Sequence, residues 1–174
     1  MQFGTLKSDP AEDTFAVSAQ KLAKELLKAE NNQQIEVLDI RGAVAGDLHR
    51  AFDEWYTQSK PTKCLKYLYS VSIIPHPAQT DISREQYFNL IERIEKTLGL
   101  SKQPRAVVRH VHLDGREHWH TVWSRINAGK RVAVNFSHDR KKLHKAAQEF
   151  ASDHDLASPP GLVGRFHDRA GAKA

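Results

Sequence analysis

The sequence predicts an α+β fold, an antiparallel β-sheet flanked by α-helices. Two observations carry this expectation. Strand and helix patterns alternate irregularly along the chain, and one strand pair, around Asp114-Gly115, is joined too tightly to be anything but antiparallel. A short strand opens the chain near Phe3–Lys7. A helix follows from about Thr14 to Ala29, with Ala19, Leu22, Ala23, Leu26 and Leu27 as its apolar stripe and Asn31-Asn32 as its stop. Ile35–Ile40 reads as a strand ended by Gly42. Asp47 to Gln58 is a second helix, because Leu48, Ala51, Phe52, Trp55 and Tyr56 recur on one helical face. Leu65–Ile74, rich in Tyr, Val and Ile, is a strand ended by Pro75 and Pro77.

Ser83-Arg84-Glu85-Gln86 fits a capping box, opening a helix that turns Tyr87, Leu90, Ile91, Ile94 and Leu98 inward and stops at Gly99. Arg105–His112 and His118–Ile126 form the hairpin. Arg131–Phe136 is a further strand, and Asn135 or Ser137 caps a last helix with Leu143, Ala147 and Phe150 on its inner side. Residues 1–157 thus make one domain. Residues 158–174, a basic tail with Pro159-Pro160, are expected to be disordered.

Composition narrows the class. The chain has 174 residues, 40% hydrophobic and 27% charged, as a soluble globular domain has. No apolar run approaches the ~20 residues of a membrane span, and the start carries no basic-then-apolar leader. The single cysteine, Cys64, rules out an internal disulfide framework and cysteine-rich zinc sites. The expected location is cytoplasmic. The net charge of +5 is uneven: residues 1–99 hold 12 Lys/Arg and 14 Asp/Glu, whereas residues 100–174 hold 14 and 7. The basic half suits a polyanionic partner, although a solvated surface would look the same.

Four of the ten histidines lie between positions 110 and 120. His118 and His120 share one face of a strand because side chains alternate with period 2. What stands opposite depends on the turn. A two-residue loop, Asp114-Gly115, would pair Val111 with His118 and send His110 and His112 to the other face. A three-residue loop, Leu113-Asp114-Gly115 with Gly115 left-handed, would put His110 directly opposite His118. Only the second register allows a three-histidine metal site of His110, His118 and His120, with His112 as a supporting or substituting ligand. Such a site keeps the full charge of a divalent ion, because imidazole is neutral, and leaves coordination positions open for a phosphodiester. Imidazole alone would suit Zn²⁺ or Ni²⁺. Trp119 and Trp123 point to the opposite face, toward the core.

These residues resemble the HUH endonuclease superfamily, whose signature is His-x-His on a strand after a third histidine. More closely, the chain resembles the relaxase/mobilisation nuclease family of plasmids and integrative elements, from about Leu22 to Leu156. The stretches that carry the resemblance are Leu22-Ala23-Lys24-Glu25-Leu26-Leu27, Glu36-Val37-Leu38-Asp39-Ile40-Arg41-Gly42, Thr62-Lys63-Cys64, Leu68-Tyr69-Ser70-Val71-Ser72, Leu98-Gly99-Leu100, and Gly115 through His118-Trp119-His120 to Ile126. The resemblance implies a relaxase that nicks and rejoins one DNA strand at an origin of transfer. It implies Mn²⁺ or Mg²⁺ as cofactor and single-stranded DNA as partner. Accessory mobilisation proteins and a coupling protein are further expected partners.

The sequence departs from the family in two places. The family usually has one residue fewer between its first histidine and the His-x-His pair, which the three-residue loop would absorb. The position of the family's usual tyrosine nucleophile, histidine in some branches, is Glu25. Glutamate there is a nucleophile, a ligand or base, or an exposed residue of a degenerate site. Tyr56 and Tyr87 read as core, and Tyr67 and Tyr69 as sharing one strand face. Asp114 is either an acidic neighbour of the metal histidines or a turn residue. Arg116 and Arg125 match family positions and are candidate phosphate contacts, or ordinary surface charge. Family members usually continue into long C-terminal extensions, so the chain reads as a minimal relaxase, a truncated copy or a stand-alone piece. The runner-up function is a catalytically degenerate, relaxase-like DNA-binding accessory protein. A third reading is a metal-dependent hydrolase unrelated to DNA, which leaves the basic half unexplained.

Overall fold

The computed structural model describes residues 2–4, 12–30, 32–76, 79 and 81–156. In chain order the elements are β1 (Gln2–Gly4), α1 (Glu12–Leu26), β2 (Asn32–Arg41), α2 (Leu48–Ser59), β3 (Leu68–Ile74) and α3 (Arg84–Leu98). They continue with β4 (Arg105–His112), β5 (Glu117–Ser124), β6 (Ile126–Asn127), β7 (Val132–Ala133) and α4 (Asp139–Asp153). Five strands form one sheet in the order β1-β3-β5-β4-β2, every pairing antiparallel, and β6 and β7 form a separate ribbon. The protein is α+β, as its sequence predicts. No helix among the described residues is long and apolar enough to cross a membrane. The tail from Ser158 lies outside the described residues.

Period-2 alternation gives the sheet two apolar faces, and helices cover both. On one face Val71, Ile73, Val107, Trp119 and Trp123 pack against Tyr87, Leu90, Ile91, Ile94 and Leu98 of α3 and Leu143, Ala147 and Phe150 of α4. Trp119 stacks on Tyr87, with ring centroids 4.3 Å apart. On the other face Ala106, Val108 and Val122 pack against Ala19, Ala23 and Leu26 of α1 and Leu48, Ala51, Phe52 and Trp55 of α2. The inner faces expected for α2, α3 and α4 are the ones buried. The helix ends also follow local chemistry. Asp47 caps α2 through Arg50, and Ser83 with Gln86 forms the capping box of α3. Gly42 ends β2 at φ +75°, where a Cβ would stand 2.9 Å from Pro104.

Four local expectations are corrected. Helix α1 ends at Leu26 rather than near Ala29. Strand β3 begins at Leu68, so Tyr67 precedes it and escapes its alternation. Tyr67 packs with α1 and α2, whereas Tyr69 packs with α3 and α4. The strand expected over Arg131–Phe136 shrinks to Val132–Ala133, because Val134 and Phe136 turn away to pack on the α3/α4 core. Neither Asn135 nor Ser137 caps α4. His138 stands at the cap position with φ 57° and no side-chain cap bond.

One buried carboxylate fastens the end of the hairpin remote from its turn. Glu95 of α3, 3% exposed, accepts hydrogen bonds from Arg41 (2.9 Å), Arg105 (3.0 Å) and the Trp123 indole (2.8 Å). Arg105 is 8% exposed and also binds Asp39 at 2.8 Å. A buried charge retained in this way is costly to orphan. Replacing Glu95 with Ala should therefore destabilise the protein by about 3–5 kcal/mol in urea unfolding, and Glu95→Gln by less because the amide oxygen still accepts. Equal, small losses for both would show that the network contributes little.

Candidate metal centre

The hairpin turn sets the site. His112 N–H donates to Arg116 O and Gly115 N–H to His112 O, both at 2.9 Å. Gly115 holds φ +80°, the left-handed region that glycine enters without Cβ strain. The loop is therefore the three residues Leu113-Asp114-Gly115, and His110 pairs directly with His118. His120 pairs with Val108 on one side and with Ser72 of β3 on the other. All four hairpin histidines thus continue the face that carries Ala106, Val108 and Val122, at the end of the sheet nearest the turn.

The imidazoles stand as two contacting pairs. His110 and His120 have ring centroids 4.5 Å apart, and His112 and His118 4.1 Å apart. Each of the three candidate ligands has one nitrogen engaged. His110 Nε2 donates to the carbonyl of Leu26, 2.6 Å away, which fixes its tautomer and leaves Nδ1 with the lone pair. His120 Nδ1 lies 2.8 Å from Ser72 Oγ. His118 Nδ1 lies 2.7 Å from His112 Nε2, and His118 Nε2 is buried with no hydrogen-bond partner. A ring nitrogen held by a neighbour while the other stays available is the usual arrangement of a ligating histidine. The donor chemistry therefore fits a divalent transition metal on His110 Nδ1, His118 Nε2 and His120 Nε2, with His112 behind His118. Among the described residues, however, no group of three His, Cys, Asp or Glu side chains stands ready at ligand geometry.

Burial keeps these rings neutral. It is the largest cause of the lowered pKa of His110, with the charge of His112 adding to it. His118 is lowered to about 4 by burial first, then by His112, Arg116 and His110. His120 is lowered to about 3 by burial first, then by its three histidine neighbours. At neutral pH the lone pairs are free of protons.

The remaining candidates are placed as follows. Glu25 is exposed on the last turn of α1, one residue before the carbonyl that His110 touches. Asp114 belongs to the turn. Its carboxylate accepts from Arg116 N at 3.1 Å and Arg116 Nε at 2.7 Å, and this bonding holds its pKa below the usual carboxylate value. Arg116 is thereby paired on the exposed hairpin tip. Arg125 gives Nε and Nη2 to Val134 O and Nη1 to Lys66 O, so it stitches backbone segments together. Tyr87 lines the same cleft as His118. Tyr67, Tyr69 and Tyr87 pack into the two cores, and Tyr56 packs against the α1/α2 core. A cleft of about 150 Å³ opens beside His118, between the turn and the segment after β3, with Pro75, Ile82 and Arg116 in its wall.

Sequence reasoning missed Ser72 and the Leu26 carbonyl. Ser70 and Ser72 alternate within an otherwise apolar strand, a visible signal of polar positions on that face, of which Ser72 meets His120 whereas Ser70 lies opposite Val122. A backbone carbonyl leaves no signal at all.

The neutral histidines make stability depend on acid. Their folded pKa values lie below the ordinary ~6.5, so the unfolded chain binds more protons below that pH. In EDTA, stability should be level above about pH 6.5 and fall as the pH drops toward 5, where carboxylates are still ionised. The urea midpoint of His118→Gln/His120→Gln should change less over that interval. An identical slope in both proteins would show that these rings are not held neutral by the fold.

The family profile "Relaxase: MobA/VirD2-like, nuclease domain" matches residues 13–156, most of the chain. Comparison with curated proteins gives no significant match, and neither does comparison with solved structures. The match spans α1, which carries Glu25, both strands of the histidine hairpin, and α4. The chain belongs to the MobA/VirD2-like relaxase nuclease family, whose chemistry is the nicking of DNA.

Proposed function

We propose that this protein is a divalent-metal-dependent relaxase that nicks and rejoins one DNA strand at an origin of transfer during plasmid mobilisation or conjugation. The observation that carries this reading is the placement of His110 opposite His118, with His120 on the same face and the end of α1 laid against His110. Mn²⁺ or Mg²⁺ is the cofactor expected. Bound by the three imidazoles, it would polarise the scissile phosphate. The Leu26 carbonyl fixes the tautomer and orientation of His110, Ser72 hydrogen-bonds His120 Nδ1 and orients its ring, and His112 supports His118. The enzyme acts in the cytoplasm on single-stranded DNA. Accessory mobilisation proteins and a coupling protein are its further partners.

In the nicking step a nucleophile attacks phosphorus, the bond to the 3′ oxygen breaks, and the 5′ phosphate stays on the attacking group. The reverse reaction rejoins the strand. Glu25 stands in the nucleophile position. A carboxylate attacking phosphorus gives an acyl phosphate, which water hydrolyses, so the native protein would hold its product briefly. A second reading is favoured by one observation: the residue at the family's nucleophile position is an exposed glutamate, Glu25, and not a tyrosine. On that reading the chain is a degenerate relaxase that binds DNA as an accessory protein and does not cut it.

A supercoiled plasmid carrying the DNA that flanks this gene separates the two. With Mn²⁺ the wild type should convert it to the open circle, and His120→Ala should reduce the rate by at least about a hundredfold. Tight single-strand binding without any nicking would favour the accessory reading. Glu25→Tyr should leave a 5′-DNA adduct that survives a denaturing gel. Nicking by wild type with no adduct from this variant would remove position 25 from the nucleophile's role.

A further inference from the structure

Behind the histidines, on the face that packs against α3, the hairpin carries a run of ion pairs. Side chains alternate, so Arg109 and Glu117 stand on this side while His110 and His118 stand on the other. Arg109 is paired with Trp119 and Glu117 with Val111, and His110 with His118 forms the rung between them. The Arg109 guanidinium therefore reaches Glu117 diagonally, across the back of the rung that carries two candidate ligands. It donates Nε to Glu117 Oε2 at 3.0 Å and Nη2 to Glu117 Oε1, so the pair is bidentate. Arg109 Nη1 lies 3.5 Å from Glu36 of β2, which also accepts from Arg84 of α3 at 3.1 Å. Glu117 accepts as well from the Trp119 indole at 3.2 Å, and Trp119 is the ring stacked on Tyr87.

This pair is specific to one register. In the register observed, Arg109 and Glu117 share a face, and His110, His118 and His120 share the other. If the loop were the two residues Asp114-Gly115, Val111 would stand opposite His118 and His112 opposite Glu117. Glu117 would then share a face with His110 and His112, and Arg109 would lie on the other with His118 and His120. That slip breaks the bidentate pair and the three-histidine face together. The pair therefore stabilises only the arrangement that the metal site needs. It is also partly withdrawn from water, with the Arg109 side chain 20% and the Glu117 side chain 30% exposed. Solvent screens it less than the exposed Asp114–Arg116 pair at the hairpin tip.

We propose that Arg109 and Glu117 are positioning residues of the metal centre, and that their ion pair selects the hairpin register in which His110, His118 and His120 share one face. The proposal rests on the three-histidine metal reading. Neither residue touches the ion or the substrate. They act through the backbone: by holding β4 against β5 behind the rung, they fix the Cβ positions from which His110 and His118 reach a common ion. Glu36 and Arg84 extend that hold to β2 and to the start of α3. Loss of a supporting contact behind a metal ligand typically costs roughly 10–100-fold in metal affinity.

The test pairs two measurements on the full chain. Mn²⁺ affinity is read from the free-ion electron paramagnetic resonance signal during a titration, and backbone amide exchange is read by NMR in EDTA. Glu117→Gln keeps an oxygen for the Trp119 indole but loses the charge. It should weaken Mn²⁺ binding by about tenfold or more. It should also speed exchange at His110 and His118 while leaving Ala106 and Val122, far from the turn, unchanged. Glu117→Asp, which keeps the charge on that face, should recover most of the affinity. Glu95→Gln, at the other end of the hairpin, should lower the urea midpoint yet hold its Mn²⁺ affinity within about twofold. An equal loss of affinity in Glu95→Gln and Glu117→Gln would mean that any destabilisation releases the metal, and would overturn the positioning role. Faster exchange with unchanged affinity would overturn it too, by reducing the pair to a structural contact. Unchanged exchange at His110 and His118 would overturn the register role whatever the metal does. A wild type that takes up no Mn²⁺, together with faster exchange in Glu117→Gln, would overturn the metal reading and uphold the pair as the selector of register.

Discussion

The register of one hairpin governs everything chemical in this molecule. Side chains in a strand alternate, so a single residue of loop length decides whether His110 and His118 share a face or oppose each other through the sheet. The left-handed Gly115 supplies that residue, and the bonds from His112 N–H to Arg116 O and from Gly115 N–H to His112 O lock it. Once the register is fixed, β3 brings Ser72 beside His120 and α1 brings the Leu26 carbonyl to His110. The site is thus built on strands and a helix end, and only its outer tip, the Asp114–Arg116 pair, belongs to the loop.

The same face of the sheet is apolar at one end and polar at the other. Ala106, Val108 and Val122 lie under α1 and α2, and the histidines begin where that cover runs out. Partial burial is what makes the cluster useful. A protonated imidazole is a poor ligand, and in water these rings would titrate near neutral pH. Here, burial and mutual repulsion keep them neutral, and each candidate ligand has one nitrogen held by a neighbour. The opposite face does mechanical work: Glu95, Arg105 and Trp123 tie the other end of the hairpin to α3.

Much of this was legible in the residues. Helices α2 and α3 announced themselves by apolar spacing and caps, and Asp114-Gly115 announced the hairpin. The two possible registers followed from arithmetic, but choosing between them needed the turn geometry, which depends on backbone angles that Leu113-Asp114-Gly115 permits without dictating. Tyr67 was misplaced because strand periodicity was extended past the strand's true start at Leu68. Glu95 carries no signal of its role in the sequence, because Arg41, Arg105 and Trp123 meet it only once the strands are laid against α3. Arg125 is a candidate phosphate contact by its match to a family position. Its guanidinium instead holds Val134 and Lys66 carbonyls that no pattern reveals.

The central claim is that His110, His118 and His120 are joint ligands of one divalent ion. Pulsed electron paramagnetic resonance of Mn²⁺ added to the purified protein reads this directly, because ligating imidazole nitrogens couple to the electron spin. Three coupled imidazoles, falling to two in His110→Gln, are the result expected. Coupling from one nitrogen only, or coupling unchanged by that substitution, would mean that the register brings these rings together for some purpose other than holding a metal.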